Sequence, residues 1–177
     1  MVPMQLPAWD QAGLALAHAA RAPWLDSVFV VVTWLGSLAV LLPLALLIWW
    51  RGRGDRNAAF VTMALVGASA LGHLAKLVVE RPRPELFPPL IAMPGDWSFP
   101  SAHAVQVTAF ALAWLRRPGA APGRIEVAVL FTTVLAVSAS RLYLQVHFPS
   151  DVIAGALLAI LWVVFLRRLP AWRVHTQ

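Results

Sequence analysis

The chain has 177 residues, of which 60% are hydrophobic and 12% charged, and fourteen Lys+Arg stand against eight Asp+Glu for a formal charge of +6. So apolar a composition excludes an ordinary soluble domain, the length suits one domain with one core, and the lack of cysteine excludes a disulfide framework or a zinc–thiolate site. The basic residues form no polybasic face with interleaved aromatics, which argues against nucleic acid; they sit at the ends of apolar runs, the membrane pattern.

The stretch 6–22 is helical in composition but short, and Asp10, Gln11 and His18 interrupt it. An interfacial amphipathic helix is expected there, with a sixth span as the alternative, and Pro23 separates it from the first long apolar segment. No basic n-region and A-x-A site flank a short apolar stretch, so no cleaved signal peptide is expected. Five apolar segments are predicted as transmembrane helices, over 27–50, 58–79, 102–116, 125–146 and 150–168. A span needs roughly 20 apolar residues. The apolar runs of the third and fifth are shorter than that, so either their flanks join them or their outer ends begin below the membrane surface, at Ser101 and Asp151. Between the second and third lies 80–100, stiffened by Pro82, Pro84, Pro88, Pro89, Pro94 and Pro100, which cannot be one helix and is expected to form an extracytoplasmic lid or rim. The predicted fold class is therefore all-α: a polytopic membrane helix bundle of about five transmembrane helices plus an N-terminal interfacial helix, in one domain over 1–177.

Orientation comes from the arginines. With five spans, Arg51, Arg53, Arg56, Arg116, Arg117, Arg124, Arg167, Arg168 and Arg173 share one side, which the positive-inside rule assigns to the cytoplasm. Arg21, Lys76, Arg81, Arg83 and Arg141 face the other side with six of the eight acids. The N-terminus is then outside and the C-terminus inside. Trp24, Trp49, Trp50 and Trp172 lie near segment ends as interfacial anchors.

Three clusters carry chemistry, each at the end of an apolar run, where charge is costly without a task. The first is Lys76-x6-Arg83-Pro84: a phosphate dianion needs several donors once water thins, and Arg offers a fork where Lys offers a point charge. Lys76 alone also reads as a snorkelling side chain, and Arg81 as a bystander paired with Glu80 or Glu85. The second is Pro100-Ser101-Ala102-His103: Ser101 suits an N-cap, the first free N–H groups of the helix suit an anion, and an imidazolium at His103 could give that anion's leaving group a proton. A capping serine beside a chance histidine is the bland alternative. The third is Ser140-Arg141-x5-His147-x3-Asp151. Pro149 and Ser150 mark a helix start, so Asp151 can lie over the face of His147, fix its tautomer and leave the other ring nitrogen as a nucleophile. A buried His–Asp pair and a snorkelling Arg are the alternatives for its members taken singly.

Together these fragments resemble the signature of the type-2 phosphatidic acid phosphatase superfamily, K-x6-RP, PSGH and SR-x5-H-x3-D. The first and third match in spacing and in every fixed letter; in the second, Ala102 stands where the family usually has Gly. Ala keeps the backbone N–H but not the freedom to adopt positive φ. The resemblance covers about Lys76–Asp151. It implies that His147 attacks phosphorus, Asp151 orients it, and His103 protonates the leaving oxygen and then activates water. Lys76, Arg83, Arg141, Ser101 and the backbone near Ala102 would hold the phosphate oxygens. It implies no metal and no other cofactor, the cations supplying the charge a metal would. The expected substrate is a lipid phosphate or diphosphate in the bilayer. Undecaprenyl diphosphate is favoured at the extracytoplasmic face of a bacterial plasma membrane, with phosphatidylglycerophosphate, phosphatidate and lipid A phosphates as alternatives. A small transporter is the non-enzyme alternative, for which His73, Thr132 and Thr133 are nearly the only polar mid-helix candidates. Oligomeric state is not legible.

Overall fold

The computed structural model describes residues 7–172; Leu6 and Arg173, to which the expected N-terminal helix and basic tail extend, lie outside them. The described residues form seven α-helices, α1 Ala8–Ala19, α2 Pro23–Val32, α3 Leu38–Arg51, α4 Arg56–Val79, α5 Ala102–Arg116, α6 Arg124–Tyr143 and α7 Pro149–Arg168, with 3-10 turns at Thr33–Gly36 and Pro170–Trp172. Local chemistry explains the starts. Pro23 and Pro149 occupy first helical positions, where a missing N–H costs nothing. Asp55 caps α4 by accepting from Asn57 N at 2.7 Å.

The expected single span over 27–50 is broken. α2 and α3 meet at 46° across the Thr33–Gly36 turn. Ser37 is extended (φ −76°, ψ 139°) and its Oγ accepts from Ala39 N at 3.2 Å, so it ends one helix and caps the next. Three helices, α4, α6 and α7, are long and apolar enough to cross a membrane, or four if the bent α2–α3 pair counts as one. The protein is a multi-pass membrane protein.

α5, at 15 residues, is shorter than a span, and its position explains why. It is the central helix, buried from Ala104 through Ala111 and packed against α4, α6 and α7. A helix apolar all round belongs inside the protein rather than against solvent or lipid. It meets α4 and α7 through small buried residues, Ala64, Ala68, Ala104, Ala109, Ala113 and Ala159. Without a hydrophobic drive between helices in lipid, such residues let backbones approach and gain dispersion contact. Apolar side chains left exposed on the outer helices, such as Ile125, Phe131, Leu161 and Phe165, suit lipid. Trp172, expected as an interfacial anchor, is instead buried, its ring 5.2 Å from Phe60, while Trp24 and Trp50 are exposed.

The connectivity puts the arginine-rich loops at one end: the Arg56 guanidinium donates to Ala171 O, and Arg167 Nε donates to Arg116 O at 3.1 Å. The C-terminal end of α4, the start of α5, the α6–α7 turn and the 80–100 loop gather at the other.

Candidate active site

Two backbone devices bring the second and third motifs together, and Arg83 of the first reaches them by donating to Val146 O at 2.7 Å. Ser101 N donates to Asp151 O at 3.0 Å, tying the start of α5 to the first turn of α7. Gly155 permits that approach, because a Cβ there would stand 2.8 Å from Ser101 O. Just ahead of His147, Gln145 adopts the left-handed conformation (φ 60°), which tightens the α6–α7 turn and turns the next residues inward.

His147 and Asp151 are both buried, with Nδ1 and Oδ2 3.6 Å apart, just outside hydrogen-bond range. Ser98 closes the gap: its Oγ donates to Asp151 Oδ2 at 2.5 Å and lies 3.4 Å from His147 Nδ1. Phe148 N also donates to Oδ2, at 2.9 Å. With Nδ1 turned to this carboxylate, Nε2 carries the free lone pair, and Arg83 Nη1 stands 3.2 Å from it. Burial, aided by the Arg141 and Arg83 charges and only partly countered by Asp151, pushes His147 down to about 3. The imidazole is therefore neutral at physiological pH, the form a nucleophile requires.

Arg83 is the cation against this nitrogen, and Lys76 stands beside it across Asp96. Lys76, buried, donates to Trp97 O and pairs with Asp96 Oδ2 at 3.2 Å. Arg83 donates to Val146 O at 2.7 Å and to Asp96 Oδ1 at 2.5 Å. Asp96, about half exposed, thus places a carboxylate between Lys76 and Arg83. Partial burial would raise its carboxyl, but the bonds from Arg83 and Lys76 outweigh that and hold it below the ordinary range. Arg141, buried in α6, donates from Nη1 to Thr33 Oγ1 at 2.5 Å, so the turn that breaks the first span also fixes this arginine.

Ser101 sits at the N-cap of α5, but its side chain makes no capping bond. Its Oγ is buried without a partner, as is Arg141 Nε, leaving two polar atoms that the protein does not satisfy. Ala102 is the first helical residue and is not among the described residues with positive φ, so it makes no demand for Gly. His103 lines a cavity of about 390 Å³ with Arg141 and with apolar walls from Val30, Trp34, Ile91 and Pro94. A second, of about 300 Å³, touches Lys76, Asp96, Ala102, Gln106 and the exposed His73. Among the described residues, no group of three or more His, Asp or Glu is placed to hold a metal ion.

The sequence pattern gives no role to Ser98 or Asp96 and the wrong partners to Arg81. Ser98 carries no motif letter, and only its place three residues before Ser101 could have pointed to it. Arg81 is no bystander paired with Glu80 or Glu85: it is buried and donates to Asp151 Oδ1 at 2.6 Å and Asp10 Oδ2 at 2.7 Å. Its sign was a third cation inside the first motif.

A buried imidazole with a carboxylate on one side and a guanidinium on the other, at one end of a membrane helix bundle, has the parts that phosphoryl transfer requires. Residues 57–175 match the PAP2 superfamily, and the chain belongs to that superfamily and is accordingly a lipid phosphatase. It is 33% identical over 146 residues to an undecaprenyl-diphosphatase from Sulfolobus acidocaldarius, covering 80% of this chain and 68% of that one. It is 30% identical over 164 residues to phosphatidylglycerophosphatase B of Bacillus subtilis, covering 86% and 78%. The crystal structure of Aquifex aeolicus LpxE superposes with a TM-score of 0.80 at 25% identity, covering 96% of this chain and 100% of that one. A transmembrane PAP2 type phosphatidylglycerolphosphate phosphatase from Bacillus subtilis gives 0.77 at 26%, covering 89% and 82%.

Proposed function

We propose that this single-domain protein hydrolyses a lipid phosphate or diphosphate through a phosphohistidine on His147, with undecaprenyl diphosphate as its substrate. The observation that carries this reading is His147 itself, with Nδ1 facing Asp151 and Nε2 3.2 Å from a guanidinium. Phosphorus must enter where Arg83 now stands against Nε2, and Asp96 must release Lys76 and Arg83 to the phosphate oxygens.

The Nε2 lone pair attacks phosphorus in line as the bond to the leaving oxygen breaks. Lys76, Arg83, Arg141, Ser101 Oγ and the N–H groups at the start of α5 hold the non-bridging oxygens, where preorganised donors are worth about 3 kcal/mol each. His103 gives its proton to the leaving oxygen and then takes one from the water that attacks the phosphohistidine, releasing phosphate and neutral His147. Asp151 balances the charge on the imidazole in between. The leaving group departs opposite the nucleophile, on the side of its acid. Because His103 lines the cavity walled by Val30, Trp34, Ile91 and Pro94, that cavity suits a lipid chain. Arg141 in the same cavity suits the charged leaving phosphate of a diphosphate. The length of match to phosphatidylglycerophosphatase B favours phosphatidylglycerophosphate as the second reading.

In this reading five segments cross the membrane. The bent α2–α3 pair counts as one, α5 is sheathed by its neighbours, and α1 stays at the outer interface. The site then faces away from the cytoplasm. The test is phosphate release by purified protein in detergent from undecaprenyl diphosphate, phosphatidylglycerophosphate, phosphatidate and a lipid A fraction, with and without EDTA. Fastest release from undecaprenyl diphosphate, surviving EDTA and blocked by vanadate, is expected. A rate lost in EDTA and restored by magnesium overturns the metal-free scheme.

A further inference from the structure

Arg81 lies within the first motif but is not one of its fixed letters, and the phosphohistidine scheme gives it no task. It is buried between two fully buried carboxylates, Asp151 of α7 and Asp10 of α1. Nη1 donates to Asp151 Oδ1 at 2.6 Å and to Ser150 Oγ at 2.6 Å; Nη2 donates to Asp10 Oδ2 at 2.7 Å. The guanidinium also lies over the Phe148 ring, 4.2 Å from its centre. Asp10 accepts twice more from Ser150, from N at 2.8 Å and from Oγ at 2.6 Å. α1 therefore does not float on a bilayer surface by its Asp10 face: that face is seated against the start of α7. Gly13 makes the seat possible, since a Cβ there would stand 2.5 Å from the Pro149 side chain. One turn along, Leu14 O accepts from Gln145 Nε2 at 2.9 Å, holding the left-handed residue that precedes His147.

We propose that Asp10 and Arg81 are a positioning pair for the phosphatase reaction. Arg81 occupies Asp151 Oδ1, which turns Oδ2 toward Ser98 and His147 Nδ1; Asp10 holds Arg81 in that posture. The proposal rests on His147 being the nucleophile. It also places a catalytic support in α1, outside the 57–175 region shared with the family.

The experiment compares Asp10→Asn, Arg81→Gln, Arg81→Lys, the double variant Asp10→Asn/Arg81→Gln and His147→Ala with the parent, using farnesyl diphosphate in detergent and counting only monodisperse protein. Asp10→Asn and Arg81→Gln should each lower kcat roughly 10- to 100-fold, the range that partners of catalytic groups carry, with KM within about twofold. Arg81→Lys should recover part of that loss by restoring charge. The double variant should be no slower than Arg81→Gln alone, because Asp10 acts through Arg81. Unchanged kcat in both single variants, losses that multiply in the double variant, or a change in KM alone would overturn the proposal. Turnover by His147→Ala would remove the nucleophile reading and the pair's task with it; a dead His147→Ala beside a fully active Asp10→Asn would sink only the pair.

Discussion

The Asp96 carboxylate lies 2.5 Å from Arg83 Nη2 and 3.2 Å from Lys76 Nζ, so the resting protein fills its own cationic cradle with an internal anion. Substrate must compete with that carboxylate. A half-exposed pair of this kind is worth about 0.2–1 kcal/mol. Asp96→Asn should therefore tighten vanadate or phosphate inhibition by about two- to fivefold, read as a fall in Ki. A weakened Ki would mean that Asp96 organises the cations rather than blocking them.

His103 should matter in proportion to how poor the leaving group is. General acid assistance contributes roughly 10²–10⁴-fold when an alkoxide must be protonated. His103→Gln should lose about that much on dioctanoyl phosphatidate and much less on 4-nitrophenyl phosphate, whose phenolate leaves unaided. Equal losses on both would assign His103 to phosphate binding instead.

Acid should destabilise the fold through His147. The ring is held down to about 3 in the folded protein and titrates near 6.5 in an unfolded chain. Below about 6.5 the unfolded state takes up a proton that the folded state refuses, so stability falls with pH from there toward about 3. In detergent, the Tm of the parent should drop more between pH 7 and 4 than that of His147→Gln. Parallel curves would show that other groups govern acid unfolding.

Ser101 offers a separation of stability from activity. Its buried Oγ has no partner, so Ser101→Ala removes an unsatisfied polar atom and should leave Tm unchanged or raised. If that hydroxyl holds a phosphate oxygen in the transition state, kcat should still fall by about 10²-fold. Full activity would remove Ser101 from the binding set.

The orientation can be read by labelling, since the chain has no cysteine of its own. Gly95 and Gly123 have open space where a Cβ would be built. In intact cells, Gly95→Cys should react with a membrane-impermeant maleimide, and Gly123→Cys only after permeabilisation. The reverse pattern would place the site in the cytoplasm.

Much was legible before any tertiary contact was known. Four of the five long apolar runs became single helices, because hydropathy is local. The motif letters sit at helix ends because Pro149 and the prolines of 80–100 punctuate the chain where they stand. The asymmetry of the arginines needs only their order along the chain. What local pattern could not show is which helix is wrapped by the others. α5 is packed by protein along most of its length, and the 27–50 run breaks at a turn from which Thr33 meets Arg141.

The amino-acid order alone determined the helical class and, through motifs that resemble the family signature, the phosphatase class, since hydropathy is local and the motif spacings can be read along the chain. Only the folded bundle decided that Arg81 bridges two carboxylates and that α1 is seated against the start of α7. The contacts responsible join Arg81 to Asp10 across 71 positions and Asp10 to Ser150 across 140. No local rule spans such intervals; the cost of a buried unpaired charge does, by admitting only the packing in which every one of these groups finds its counterpart.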